Sequence, residues 1–455
     1  MRRLLLAAVA ALVVSAPAQA ARSQEVTIPS ADGTTLAATL TVPSGKAPAG
    51  GWPGVVLMHG FGGTRASMGV LAQAAGLTAG QYAVLTFDAR GHGQSTGLAG
   101  IAGPAEVADA RAVFRWFAAR PNVRDNRIGA FGISYGGATV LNSVAAGVPW
   151  AAVEVAETWS DLGSAMLPQG VAKSGTLKSL VGEIPAARLD PIAAQMRDDA
   201  VAGTNLGTVR SWAAQRSSLS RLRGRRTPVF LMQGRRDFAF GVDQAKRLYS
   251  VLKGPRRLWI GNLGHAPSSF PAADTTAMAV QAKQWFDRFL RGTRNGIETR
   301  KPIVLATQGK ASVRTFAKLP PTGSIVYRGT LDATITPDNS AIVRNPALDD
   351  PTEVFGSPIV KVTADASGGW SRIVATMVAR TPSGSRIVVS VGAVPTSAGK
   401  RTYTIRLIDQ ATKLPKGSSL EVTLSTSNEQ YLDVAMSDTA RLHLTGVDVT
   451  VPTLG

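Results

Sequence analysis

Residues 127–146 read RIGAFGISYGGATVLNSVAA, and this stretch constrains the fold most tightly. A short apolar run of strand type meets a run of helix type at Ser134 with no loop between them. Gly132, Ser134 and Gly136 make the pattern G-x-S-x-G, whose physical content is a strand, a strained turn and a helix in immediate succession. The glycines let neighbouring backbones pass closely. The turn pushes the serine hydroxyl outward at a helix N-terminus, where N–H groups stabilise developing negative charge. Five residues alone fit a glycine-rich turn without chemistry equally well, so the rest of the chain has to decide.

The surroundings suit a parallel sheet. Residues 24–42 alternate apolar and polar around Asp32-Gly33, as two antiparallel strands joined by a turn would. Apolar strand candidates at 54–58 and 82–87 run into the polar loops HGFGGT (59–64) and DARGHGQSTG (88–97), with helix candidates at 67–79 and 104–119. This alternation predicts an α/β fold, a mostly parallel sheet covered on both faces by helices. Ligands of such sheets sit beyond the carboxyl ends of the strands, and His59, Asp88 and Ser134 all follow strand ends. After a strand candidate at 151–155, residues 157–226 lose their periodicity, with short helix candidates at 177–184, 191–202 and 208–222. We read this segment as a helical cap over the active edge. Strands at 227–232 and 257–260 and helices at 242–251 and 275–290 resume the core.

Beyond Gly292 the composition shifts to Thr, Ser, Val, Gly and Pro, in seven short alternating runs from SIVYRG to ARLHLTGV. Such runs with turn residues between them predict an all-β jelly-roll or β-sandwich domain. The expected division is a leader at 1–20, an α/β domain at 21–292 with its cap at about 157–226, and a β domain at 293–455.

The leader assignment rests on Arg2-Arg3, an apolar run from Leu4 to Val14 and the small-residue ending Ala18-Gln19-Ala20, the features of a secretory signal peptide. It predicts a secreted, extracellular or periplasmic protein, with no integral membrane segment in the mature chain. The chain has no cysteine, which excludes disulfides, thiol nucleophiles and cysteine-ligated metals. A net charge of +19 favours anionic surfaces such as cell-wall polymers. No zinc-finger spacing or RNA-binding pattern accompanies it, so no specific nucleic acid partner is expected, and RLRGRR at 221–226 reads as a solvated rim.

A serine nucleophile needs a base within hydrogen-bond reach and a carboxylate to orient that base. The chain offers four histidines. His443 alternates with leucines on a strand, and His59 and His92 sit in loops that shape a pocket floor. His265, in GNLGH directly after the last core strand candidate, is the candidate base. Asp237, in GRRD after the preceding major strand, is the candidate acid, although it also suits a turn or a partner of Arg235 or Arg236. Asp243 is the fallback and reads better as a helix cap. The order Ser134, Asp237, His265 agrees with that of the α/β-hydrolase triad. Backbone N–H groups of Tyr135 and Phe61 are the expected oxyanion donors. Asp88 and Arg90 suit a local salt bridge, and Glu154, Glu157 and Asp161 suit either caps or recognition of a substrate amine. No H-E-x-x-H, P-loop or complete dinucleotide fingerprint occurs, so neither metal nor cofactor is expected.

HGFGGTR (59–65), FDARGHGQSTG (87–97), GISYGG (132–137), GRRDFAF (234–240) and GNLGH (261–265) together resemble the secreted α/β-hydrolases of the Xaa-Pro dipeptidyl-peptidase and cocaine-esterase group, the CocE/NonD family. The resemblance implies an α/β-hydrolase core with a helical cap followed by a jelly roll. It also implies Ser134 as nucleophile, Asp237 as acid, His265 as base and Tyr135 as an oxyanion donor. Phe61 stands where cocaine-esterase-like members carry a tyrosine hydroxyl. The implied activity is serine hydrolysis of a small ester or peptide-type amide through an acyl-enzyme. A carboxylesterase or acyltransferase without peptidase activity, and a non-catalytic cell-surface or carbohydrate-binding protein, remain as alternatives.

Overall fold

The computed structural model describes residues 21–265, 268 and 272–455; the expected leader lies outside the described residues. Strands β1 (Ala21–Pro29) and β2 (Thr35–Pro43) pair antiparallel about a turn at Gly33, whose φ of 83° suits glycine. They are followed by β3 (Trp52–Met58), α1 (Arg65–Ala74), β4 (Ala83–Phe87), α2 (Pro104–Ala118), β5 (Val123–Ile133), α3 (Tyr135–Ala145) and β6 (Ala152–Ala156). Helices α4 (Leu162–Met166), α5 (Ser174–Val181), α6 (Pro191–Ala202) and α7 (Leu206–Gln215) then intervene. The chain resumes with β7 (Val229–Gly234), α8 (Val242–Val251), β8 (Arg256–Gly261), α9 (Thr275–Phe289), β9 (Ile303–Ala306) and β10 (Val313–Phe316).

These ten strands form one sheet in the order β1-β2-β4-β3-β5-β6-β7-β8-β9-β10, parallel from β4 to β9. Successive side chains go to opposite faces. Val56, Ala130, Val153 and Leu231 join Val113, Val140 and Leu248 of α2, α3 and α8 in one core. Val55, Leu57, Phe230 and Met232 join Met68 of α1 and Trp285 and Phe286 of α9 in the other. Burial on both faces is why these strands read as continuous apolar runs rather than alternating ones.

The C-terminal strands are β11 (Thr322–Gly329), β12 (Ala333–Ile335), β13 (Ala341–Ala347), β14 (Thr352–Gly356), β15 (Ile359–Ser367), β16 (Arg372–Arg380), β17 (Arg386–Pro395), β18 (Gly399–Arg406), β19 (Gln410–Leu414), β20 (Ser419–Ser425) and β21 (Arg441–Leu454). They make a seven-stranded sheet around β21 and a four-stranded sheet, β13-β20-β16-β17. Val362, Leu444 and Val449 of the first pack with Ala375, Met377 and Val422 of the second in a shared core. No helix among the described residues is long and apolar enough to cross a membrane.

Three expectations change. The boundary at 292/293 is too early, because β9 and β10 complete the first sheet: β9 runs parallel to β8, and β10 turns back along β9. The first helix ends at Ala74 rather than 79, where Gly76 takes a φ of 68° and the chain turns. Between β6 and β7, α7 stops at Gln215 instead of 222, and α4 has no counterpart in the sequence reading.

Candidate active site

Strand β5 delivers Ser134 into a backbone conformation of φ 54° and ψ −117°, a strained region for a residue with a side chain. The glycines on either side make this bend possible. A Cβ on Gly132 would stand 2.3 Å from the Gly136 carbonyl oxygen, and one on Gly136 would stand 2.3 Å from that of Met58. The Ser134 N–H donates to the Ala156 carbonyl at 2.8 Å, and the Thr158 hydroxyl donates to the Ser134 carbonyl at 2.7 Å, so β6 braces the turn.

His265 Nε2 lies 2.9 Å from Ser134 Oγ, and His265 Nδ1 lies 2.8 Å from Asp237 Oδ2. With Nδ1 protonated, the imidazole donates to Asp237 and accepts from the serine hydroxyl. Asp237 is fully buried, and its other oxygen accepts the N–H groups of Ala239 and Phe240, each at 2.9 Å. Those two bonds fix the carboxylate and leave Oδ2 for the ring. Burial alone would push the imidazole down; the charge and hydrogen bond of Asp237, with the charge of Glu157, outweigh it and hold His265 up at about 9.

Phe61 sits inside a turn closed by a 2.9 Å bond from Gly63 N–H to the Gly60 carbonyl. Tyr135 is the first residue of α3, where N–H groups lack intrahelical partners. Both line the cavity into which Ser134 opens. The Tyr135 hydroxyl points away from it, donating to Glu106 at 3.1 Å.

The remaining candidates separate. His59 is buried, with Nε2 accepting the Ala89 N–H at 2.9 Å, and His92 is buried beside it with Nδ1 3.0 Å from the Arg90 carbonyl. The local pair of Asp88 and Arg90 does not form. Asp88 binds Arg65, whereas Arg90 makes a fork to Asp109 at 2.6 Å and reaches Asp32 at 2.9 Å. The loop directs these two side chains to different helices. Asp161 caps α4 by accepting the Ser164 N–H, Glu154 is buried within β6, and Asp243 pairs with Arg247 in the first turn of α8. His443 lies on β21, 3.1 Å from the Thr334 hydroxyl.

Two further groups adjoin Asp237 and His265: Glu157, which the sequence offers as a cap or an amine partner, and Lys173, which the sequence does not single out. Glu157, directly after β6 with φ 48°, is buried so that one of its carboxylate oxygens, one of Asp237 and one ring nitrogen of His265 lie within 4.8 Å of one another. Burial, reinforced by the charge of Asp237 and opposed by that of His265, pushes Glu157 up to about 7. These three residues are the donor set among the described residues that could hold a cation, but Asp237 and His265 already bind each other. Its position at a carboxyl strand end was the signal that could have found Glu157. Lys173, also buried, donates to the carbonyls of Phe238, at 3.0 Å, and Ala239, clamping the loop that carries Asp237; burial lowers its pKa to about 8.

A parallel sheet with this bend and this relay at its carboxyl edge defines the serine α/β-hydrolase class. The family described as X-Pro dipeptidyl-peptidase (S15 family) matches residues 32–267, over half of the chain, and the protein belongs to it. An uncharacterized 31.7 kDa protein of Escherichia coli is 34% identical over 111 residues, covering 24% of this chain and 37% of that relative's length. A CocE/NonD family hydrolase from Staphylococcus aureus superimposes with a TM-score of 0.73 at 14% identity, over 95% of this chain and 94% of the other. An aminopeptidase from a marine sediment thaumarchaeon also gives 0.73 at 14% identity, over 98% of each chain. These structural likenesses establish the fold, the α/β-hydrolase core together with the β-rich region that follows it.

Proposed function

We propose that the protein is a serine hydrolase that cleaves an ester or a peptide-type amide through an acyl-enzyme, with Ser134 as nucleophile, His265 as base and Asp237 as the carboxylate orienting it. The observation that carries this reading is the unbroken chain from Ser134 Oγ to His265 Nε2 at 2.9 Å and from His265 Nδ1 to Asp237 at 2.8 Å. His265 takes the serine proton as Oγ attacks the carbonyl carbon. The N–H groups of Tyr135 and Phe61 receive the oxyanion. His265 then protonates the departing alcohol or amine, and the same steps with water release the acid.

The C-terminal strands are read as a jelly-roll-like sandwich forming a separate domain beyond β10, supported by two sheets around one core. We read residues 1–20 as an export signal, and the charge of +19 as suiting an anionic surface outside the cell.

The test is a parallel assay of chromogenic esters and Xaa-Pro amides with the wild type and Ser134→Ala. The variant is expected to lose roughly 10⁵- to 10⁶-fold in kcat on every substrate that the wild type turns over. Retained turnover in Ser134→Ala rules this mechanism out.

A further inference from the structure

The cavity at Ser134 runs from the nucleophile into the cap, with about 100 Å³ open to the centres of water-sized molecules. Leu180, Met196, Val209 and Trp212 of α5, α6 and α7 line it from above, and Phe240 of the acid loop lines it near His265. Among the described residues its only charged lining side chains are Arg197 and Arg210, and no carboxylate lines it. Of the carboxylates around it, two are buried and engaged elsewhere, and a third, Glu183, stands beside Gly62 outside the lining. Glu106 accepts the N–H groups of Gly100 at 2.5 Å and Gly103 at 2.8 Å behind Tyr135, and Glu157 is gathered with Asp237 and His265.

A dipeptidyl substrate with a free N-terminus would bring an ammonium into this cavity. It would lose water, find no carboxylate in the lining and meet the guanidinium of Arg210 and that of Arg197, the latter paired with Asp198, a combination that is costly in an apolar site. An alkyl chain meets the opposite conditions, because each methylene withdrawn from water onto these walls is favourable.

We propose that the cap cavity is an acyl-chain site, so that this hydrolase takes carboxylic esters of medium-length fatty acids in preference to peptides with a free amino terminus. The proposal rests on Ser134 being the nucleophile. The acyl carbonyl sits at Ser134 with its chain under the cap, the alcohol leaves with the proton from His265, and water releases the free fatty acid.

The test measures kcat/KM on p-nitrophenyl acetate, butyrate, octanoate and decanoate and on glycyl-prolyl p-nitroanilide. The wild type is expected to gain about fourfold per added methylene until the cavity is filled, and to act far more slowly on the anilide. Ala193→Phe and Ala200→Phe, which place rings in the cavity from α6, are expected to lower the decanoate-to-acetate ratio by roughly tenfold or more. Because the ratio is read within one preparation, partial loss of folded protein does not mimic the effect. A flat or falling series in the wild type, an unchanged ratio in both variants, or preferential cleavage of the anilide overturns the acyl site. If that happens while acetate turnover still depends on Ser134, the triad stands and the acyl site alone falls; no turnover of any substrate removes both.

Discussion

Arg235 pairs with Glu353 across the seam between the hydrolase sheet and the C-terminal β region, and the guanidinium is only 1% exposed. Arg235 lies two residues before Asp237, so the contact ties the acid loop to β14. The same loop is held from the same side by Ala411 N–H donating to the Arg235 carbonyl at 2.8 Å and by Gln410 Nε2 donating to the Asp237 carbonyl at 3.0 Å. The C-terminal region thus forms one wall of the pocket that fixes the Asp237 carboxylate.

Breaking that pair leaves a buried cation without its partner. Glu353→Gln is expected to lower unfolding free energy by about 3 kcal/mol and to reduce kcat as the acid loop loosens. Arg235→Met combined with Glu353→Met is expected to recover most of the stability, because neither charge of the buried pair remains and Arg314, the other partner of Glu353, is nearly half exposed. Urea denaturation of the three variants checks this, and a double variant no more stable than Glu353→Gln would show that the ion pair is not what the seam depends on.

The base must be neutral to accept the serine proton, and His265 is held up at about 9. Activity is therefore expected to rise with pH through neutrality and level off near that value. Glu157 contributes part of that upward pull through its negative charge, so Glu157→Gln is expected to move the acid limb of the kcat/KM profile to lower pH. An acid limb that stays in place or moves upward would show that the Glu157 charge is not felt at the imidazole.

The parts of this site readable from sequence are those whose meaning is contained in adjacent residues. The bend at Ser134 needs only its own glycines, and Asp237 and His265 each follow an apolar strand by a few positions. Glu157 reads in sequence only as a cap or an amine partner, because its place beside Asp237 and His265 exists only once β6, β7 and β8 lie side by side. The partners of Asp88 and Arg90 depend on where α1 and α2 cross the loop, which local sequence does not encode. Strands β9 and β10 are four residues each and carry no alternating run of their own, since what makes them core strands is the open edge of β8.

The bend itself gives a stability prediction. Gly136→Ala would bring a methyl group within 2.3 Å of the Met58 carbonyl oxygen, in backbone that cannot yield without separating α3 from β3. The variant is expected to lose about 2 kcal/mol or more and nearly all activity. Gly207→Ala, in α7 with open space around its Cβ, serves as the control and is expected to be neutral or slightly stabilising. Thermal unfolding of both distinguishes a bend that requires glycine from a general sensitivity to added methyl groups.

Lys173 tests how the acid loop is held. Its ammonium is buried and donates to the Phe238 and Ala239 carbonyls immediately after Asp237, and burial lowers its pKa to about 8. Lys173→Met keeps the length and apolar stem but leaves both carbonyls without this donor. Two effects on stability then oppose each other: the orphaned carbonyls cost about 1–3 kcal/mol each, while removal of a buried charge is favourable. Activity has no such compensation, because a loosened loop lets Asp237 turn from His265, and misorientation of the base is expected to lower kcat by roughly tenfold or more. Lys173→Arg, which retains the charge and donors in a larger group, is expected to recover part of that loss. Near-wild-type kcat in Lys173→Met would mean that the N–H groups of Ala239 and Phe240 hold the carboxylate unaided.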